Sequence, residues 1–242
     1  MIQVERNRGV VCLTLNRPER RNALSLDMLD MLSGALSAMS PADVTAVVIS
    51  GAGTTFSAGA DISELTGTSR DIAMDDAIAA VVAAILGSKV PVVAAINGPC
   101  IGGAADIMLA CDIRVASENA MIQVPATRLG LLYNPAAVAR MHTLLSRDVL
   151  TRLLVQGERF DSDQALASGL VTHASSASDS MKAKAGCAQG DNVGTAVIAT
   201  EQLLDALDSG EYDAEKWERK RREILDSPAR AIAIAAAKVR TN

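Results

Sequence analysis

Aromatic residues are nearly missing from this chain, at 2% of 242 residues: one Trp, two Tyr and two Phe. Its core must be built from Ala, Val, Leu and Ile, and a 49% hydrophobic composition supplies them. Histidine is scarce as well, with only His142 and His173. The cysteines Cys12, Cys100, Cys111 and Cys187 form no C-x-x-C pair and no metal spacing with those histidines. Three of them lie in apolar runs and read as small core residues, which makes a reducing, cytoplasmic setting the simplest expectation. Basic charge is not in excess: 23 Lys and Arg stand against 28 Asp and Glu, for a net charge of −5. Neither nucleic acid nor an anionic membrane is therefore an expected partner. No uncharged apolar run reaches the ~18 residues of a membrane span. Met1 to Glu5 also lacks the basic-then-apolar pattern of a secretory leader.

A chain of this length can bury a full core without metals or disulfides, as one large domain or one domain with a small appendage. Val10 to Leu15 reads as a strand ended by Asn16-Arg17-Pro18. Ser25 caps a helix whose apolar positions Leu29, Leu32, Leu36 and Met39 recur at helical spacing. Val44 to Ile49, Val90 to Ile96 and Ile113 to Ala116 read as further strands. Helical patterns at about 75–87 and 103–111 fall between them. Alternating strands and helices predict an α/β fold with both sheet faces covered. Beyond residue 134 the pattern is almost wholly helical. Asn134-Pro135 and Ser146 open helices, Gly157 closes one, and a short helix starts at Asp161 or Ser162 and stops at Gly169. Ser175 to Ser180 reads as a loop, followed by helices near 193–208 and 213–226. The second of these carries Trp217 and the charged run Glu218 to Glu223, a solvated face. Ala229 to Val239 is Ala-rich and suited to packing on another chain. The expected division is a core domain over 1–190 and a C-terminal helical region over 191–242.

Two strand-to-loop turns carry the chemistry. Phe56-Ser57-Ala58-Gly59-Ala60-Asp61-Ile62 follows one strand, and its small residues let another molecule approach the backbone. Asn97-Gly98-Pro99-Cys100-Ile101-Gly102-Gly103 follows another and opens a helix, leaving free backbone donors at the positive end of the helix dipole. Two such turns, each offering an N–H, make the oxyanion hole that a thioester enolate needs. The spacing is not G-x-G-x-x-G, and Thr55 to Gly59 lacks the first glycine of a G-x-S-x-G elbow, which argues against dinucleotide binding and serine hydrolysis.

In order and spacing, Arg17-Pro18 through Asn22-Ala23-Leu24, Phe56 through Asp61, Asn97-Gly98 through Gly102-Gly103, Cys111-Asp112 and Ala165 through Gly169-Leu170-Val171 resemble the enoyl-CoA hydratase/isomerase (crotonase) superfamily. The resemblance implies a crotonase-like spiral of ββα units with a C-terminal helical trimerisation region, assembled as a homotrimer or a dimer of trimers. It implies an acyl-CoA thioester as substrate, with no metal or redox cofactor. The thioester oxygen would rest on the N–H groups of Ala60 and Gly103. Arg21, Ala23, Ala58, Gly59, Asp61, Ile62 and Gly102 would line the coenzyme A site.

The chain departs from that pattern where hydratases keep two glutamates. The first position holds Asp106, three residues after Gly103 and on the same side of the helix. Burial beside Ile101, Ile107 and Met108 would raise its proton affinity. The second position, after Ile122-Gln123-Val124-Pro125, holds Ala126, which cannot move a proton. General acid–base groups contribute about 10²–10⁴ each, so efficient hydration is not expected. Tyr133, in a pentad resembling that of methylmalonyl-CoA decarboxylases, is the best auxiliary group. Those decarboxylases have histidine where this chain has Ala60. Glu64 is a second possible carboxylate, and Arg128 salt-bridges or faces the acyl pocket. Asp112 reads as capping backbone donors at a helix end. His142 and His173 read as structural or surface residues. The expected activity is that of a lyase or isomerase, with a non-catalytic acyl-CoA binder or a methylmalonyl-CoA decarboxylase-like enzyme as alternatives.

Overall fold

The structure is a computed structural model that describes residues 1–175, 194–228, 230 and 232. The expected domain boundary at 190, the end of the Ser175–Ser180 loop, Cys187 and most of Ala229–Val239 lie outside those residues.

A six-stranded sheet forms the frame. In sequence order its strands are β1 (Ile2–Asn7), β2 (Val10–Leu15), β3 (Ala46–Gly51), β4 (Val92–Ile96), β6 (Ile113–Ser117) and β9 (His173–Ser175), and they lie side by side in that order. Only β1 with β2 is antiparallel; the other neighbours run parallel. β2 alternates between buried and half-buried positions, so Val11, Leu13 and Leu15 point into the main core. All five residues of β4 are buried, as expected for a central parallel strand covered on both faces. The helices α1 (Leu26–Ser37), α2 (Ile72–Leu86) and α3 (Gly103–Ala110) pack in succession, α1 on α2 and α2 on α3. Ser25 caps α1 by accepting the Met28 N–H.

A second sheet contains β5 (Pro99–Ile101), β7 (Met121–Gln123) and β8 (Arg159–Asp161), with β7 in the middle. Two isolated parallel bridges, Leu24 with Ala60 and Ser57 with Cys100, continue its ladder backward along the chain. Successive turns of the chain thus add a strand to the large sheet and a short pairing to the second layer. Both phenylalanines, Phe56 and Phe160, are fully buried.

The chain then continues through α4 (Pro135–Leu144), α5 (Arg147–Leu150), a π-helical turn over Thr151–Val155 and α6 (Ser162–Ala167). Asp161 caps α6 in a reciprocal box with Gln164. The helices α7 (Gly194–Asp208) and α8 (Ala214–Leu225) follow and pack on each other.

Several expectations are corrected. The strands predicted to start at Val44 and Val90 start at Ala46 and Val92, because Val44 and Val90 are buried in the approach to the sheet, outside the ladder. The helix predicted from 75 starts at Ile72. Beyond residue 134 the chain is not wholly helical, since β8 and β9 interrupt it. β1 escapes the pattern because it is a polar edge strand, with only Ile2 even half-buried. β5, β7, β8 and β9 have three residues each, too few to show a period.

Candidate active site

The first turn is anchored by Asn22. Arg21 and Asn22 both adopt positive φ, at 52° and 53°, a conformation that asparagine tolerates better than most residues. The Asn22 side chain is completely buried. Its Oδ1 accepts the Arg17 N–H at 2.9 Å, and its Nδ2 donates to Ala52 O at 2.9 Å and to Thr55 O at 2.7 Å. Ser57 Oγ donates to Asn22 O at 2.7 Å and accepts the Gly59 N–H at 3.1 Å. Arg17 closes the clasp, donating to Ala23 O and pairing with Asp61 at 3.1 Å.

The same pairing exposes the Ala60 amide. Leu24 N–H donates to Gly59 O at 2.8 Å, and Asp61 N–H donates to Leu24 O at 2.9 Å. In a parallel bridge of this kind the residue between those two partners turns its own N–H away from the neighbour. Ala60 N–H makes no hydrogen bond among the described residues. Gly103 is the first residue of α3, where an N–H has no intrahelical acceptor, and it too finds none among the described residues.

Close backbone contact sets the two turns side by side. Ser57 N–H donates to Pro99 O, and Ile101 N–H donates to Ser57 O. A Cβ on Gly59, which has φ +85°, would lie 2.5 Å from Ile101 O, so no larger residue fits without moving the backbone. A Cβ on Gly98 would lie 1.9 Å from Thr54 O. Asn97 holds the same corner: its Oδ1 accepts the Gly51 N–H, and its Nδ2 donates to Gly51 O and Gly53 O. The small residues of both motifs therefore let the turns touch. Ala60 and Gly103 each follow the contact by one or two residues.

Four polar side chains from four segments gather beside the Gly102–Gly103 turn. Asp106, one helical turn into α3, is buried. Arg140 of α4 donates from Nη2 to Asp106 Oδ1 and, at 3.2 Å, to Asp106 O. Burial pushes the Asp106 carboxyl up from the usual aspartate range, Arg140 pulls it back, and the charge of Asp75 pushes it up again. Tyr133 donates its hydroxyl to Gly102 O at 3.1 Å. Burial, followed by the charge of Asp106, holds that phenol well above its ordinary range. Asp75 of α2 is half-buried, and burial, then Asp76 and Asp71, raise its carboxyl. Ala126 is buried on the short turn after β7. The pairing of Ile101 with Gln123 and the hydrogen bond from Gly102 N–H to Gln123 O set that turn beside the glycines.

Among the residues expected along the coenzyme, Arg21 and Ile62 are exposed, Ala23, Ala58 and Gly102 are half-buried, and Gly59 and Asp61 are buried. The Asp61 carboxylate is committed to Arg17 and to Ser63. Glu64 is not part of this cluster, because its Oε2 accepts the Leu26 N–H at the start of α1. Arg128 makes no ion pair among the described residues and donates to Gln156 O and Gly157 O. Asp112 accepts the Val92 N–H at 2.7 Å, so it serves a strand start more than a helix end. His142 and His173 are exposed. Sequence reasoning missed Arg140 and Asp75. The signal was a charge on a helix's apolar stripe: Arg140 follows Ala137 by three residues, and Asp75 precedes Ile78 by three.

The family model for "Enoyl-CoA hydratase/isomerase" matches residues 5–223. Over 179 residues the chain is 31% identical to "Probable enoyl-CoA hydratase echA6" of Mycobacterium tuberculosis, covering 74% of this chain and 72% of that protein. It is 30% identical over 187 residues to the peroxisomal "Delta(3,5)-Delta(2,4)-dienoyl-CoA isomerase" of Arabidopsis thaliana, covering 71% of this chain and 67% of that protein. A crystal structure of an enoyl-CoA hydratase/carnithine racemase from Magnetospirillum magneticum superposes with a TM-score of 0.84 at 27% identity, covering 99% of this chain and 92% of that one. The chain has the crotonase fold and belongs to the enoyl-CoA hydratase/isomerase family.

Proposed function

We propose that this protein is an acyl-CoA isomerase that works through an enolate, with Ala60 and Gly103 as oxyanion donors and Asp106 as its proton carrier. The observation that carries this reading is an asymmetry: a buried carboxylate at 106 and an alanine at 126, both beside the turn that presents Gly103 N–H. Hydration needs one group to activate water and another to deliver a proton at carbon. Moving a double bond needs a single group that takes a proton and returns it. Asp106 takes the proton from C2 of a 3-enoyl thioester, the C–H electron pair becomes the C1=C2 bond of the enolate, and the carbonyl π pair moves onto the thioester oxygen. The enolate then collapses as C4 accepts the proton, leaving a 2-enoyl thioester. One C–H bond breaks and one forms, and nothing is oxidised or reduced, so the step needs no metal or redox cofactor.

Preorganised N–H donors at the oxyanion are worth about 10²–10³ each in rate. Tyr133 supports one of them, because Gly102 O belongs to the same peptide unit as Gly103 N–H and a hydrogen bond to the oxygen polarises that unit. Arg21, exposed beside the first turn, suits the phosphates of coenzyme A. For the assembly we favour a homotrimer or a dimer of trimers. Leu204, Leu207 and Leu225 on the C-terminal helices are exposed in the single chain, which supports association through that region.

The test compares turnover and binding for 3-hexenoyl-CoA, crotonyl-CoA and malonyl-CoA. Isomerisation of the first is expected, with Asp106→Asn lowering kcat about 10²–10⁴-fold and leaving binding intact. Hydration of crotonyl-CoA at rates ordinary for hydratases would refute the reading. Loss of carbon dioxide from malonyl-CoA would make the protein a decarboxylase, and tight binding of all three without turnover would make it an acyl-CoA binder.

A further inference from the structure

Asp75 has no role in the chemistry described so far, yet its placement is not that of an ordinary surface carboxylate. It is half-buried, and it makes no hydrogen bond and no ion pair among the described residues. It lies three residues before Ile78, on the face of α2 that packs against α3. The contact point is the site itself: a Cβ on Gly103 would lie 2.5 Å from Ile78 Cδ1. Asp106 lies three residues after Gly103 on α3. Along the helix axes, Asp75 thus lies about one turn, roughly 5 Å, before the place where the two helices touch, and Asp106 about one turn after it.

We propose that Asp75 is a positioning residue of this site, acting on substrate through Asp106 and opposing Arg140. The inference rests on the reading of Asp106 as the proton carrier. Among the described residues, few groups bear on Asp106: Arg140 contacts it from α4, the charge of Asp75 acts on it from α2, and the phenol of Tyr133, on the loop before α4, feels its charge in turn. Asp71 and Asp76 bear on Asp75 from its own segment. No charged group of α1, which packs on α2, bears on either carboxylate. Burial raises the Asp106 carboxyl most, and Arg140 pulls it back toward a salt-bridged carboxylate, a weak base. A like charge from Asp75 in a water-poor site works the other way. The balance leaves a carboxylate basic enough to take a proton from carbon and still able to give it back.

The experiment labels aspartate carboxyl carbons with carbon-13 and follows Asp106 by NMR, with Asp106→Asn identifying its signal. The titration midpoint of Asp106 should move to lower pH in Asp75→Asn, return in Asp75→Glu, and move to higher pH in Arg140→Gln. The acid limb of kcat/KM for 3-hexenoyl-CoA should follow the same directions, and the Asp75→Asn plateau should fall about 2- to 10-fold as the base weakens. A midpoint that stays put or rises in Asp75→Asn overturns the proposal, even if activity falls, since a structural role alone would lower the plateau without moving the limb. Asp75→Ser replaces the Asn variant should that one fail to fold. The NMR arm needs no turnover. A midpoint that moves in a protein inactive on every thioester would sink the isomerase reading and leave the coupling of the two carboxylates standing.

Discussion

Asn22 is a polar side chain with no exposure to solvent, and its three hydrogen bonds tie its own loop, at Arg17, to the loop after β3, at Ala52 and Thr55. Removing it leaves a backbone donor and two carbonyls without partners, and each such loss costs about 1–3 kcal/mol when buried. Alanine is also strained at φ 53°. Asn22→Ala should lower stability by about 3–5 kcal/mol in urea denaturation, and a loss below about 1 kcal/mol would show that the clasp is dispensable. Tyr133 works on a smaller scale. Its hydroxyl touches Gly102 O and leaves the Gly103 N–H free, so Tyr133→Phe should lower kcat by about 3- to 30-fold, less than the loss of a direct oxyanion donor. KM and thermal stability should change little. A variant with unchanged kcat would remove the tyrosine from the mechanism.

At the scale of elements, glycine decides where the second sheet layer can form. Gly59 and Gly98 stand where a Cβ would strike backbone oxygen, of Ile101 and Thr54 respectively. Backbone cannot yield there as a side chain can. Gly103 differs, since its nearest neighbour is the flexible end of Ile78. Gly98→Ala should therefore destabilise the fold by about 2–4 kcal/mol, while Gly103→Ala should cost less than half as much in the same thermal melt. Equal losses would mean that the corner at Gly98 relaxes more easily than its geometry implies. This contrast was not legible beforehand, because both residues appear in the sequence as members of one glycine-containing motif. β2 and α1 were readable, since each carries its period over six and twelve residues. The three-residue strands have no period of their own and exist because neighbouring segments hold them in register.

Across the whole molecule, buried carboxylates tie stability to pH in opposite senses. Asp61 is held below the usual aspartate range, first by the Ser63 hydroxyl and also by the Ser63 backbone and Arg17, against the penalty of burial. A depressed folded value means that its stabilisation is complete above the unfolded aspartate value and is lost as pH falls through the folded one. Asp106 is held above that range, mainly by burial. Its folded form binds the proton more tightly, so its contribution declines as pH rises from the unfolded value through the folded one. Asp61→Asn should thus destabilise the protein at neutral pH and cost progressively less as pH falls below the ordinary aspartate value. Asp106→Asn should instead compare least favourably with the wild type at acid pH and gain relative to it as pH rises, because only the native carboxyl then carries a buried charge. Denaturant melts of both variants from pH 3 to 8 check this, and parallel curves for the two would contradict the opposed assignments.

The long strands β2, β3, β4 and β6 with the helices between them, the small-residue turns at Ala60 and Gly103, and the alanine at 126 were all readable from the sequence alone. They are local facts: periodicity, turn chemistry and the identity of one side chain. The partners of those residues were decided only in three dimensions. Arg140 meets Asp106 across 34 positions, Tyr133 meets Gly102 across 31, and Glu64 turns back to cap α1. Electrostatic contact depends on distance through space, which the spiral sets by stacking turns far apart along the chain. A charge on an amphipathic helix shows which face it occupies; the packing of that face against another element decides what it does.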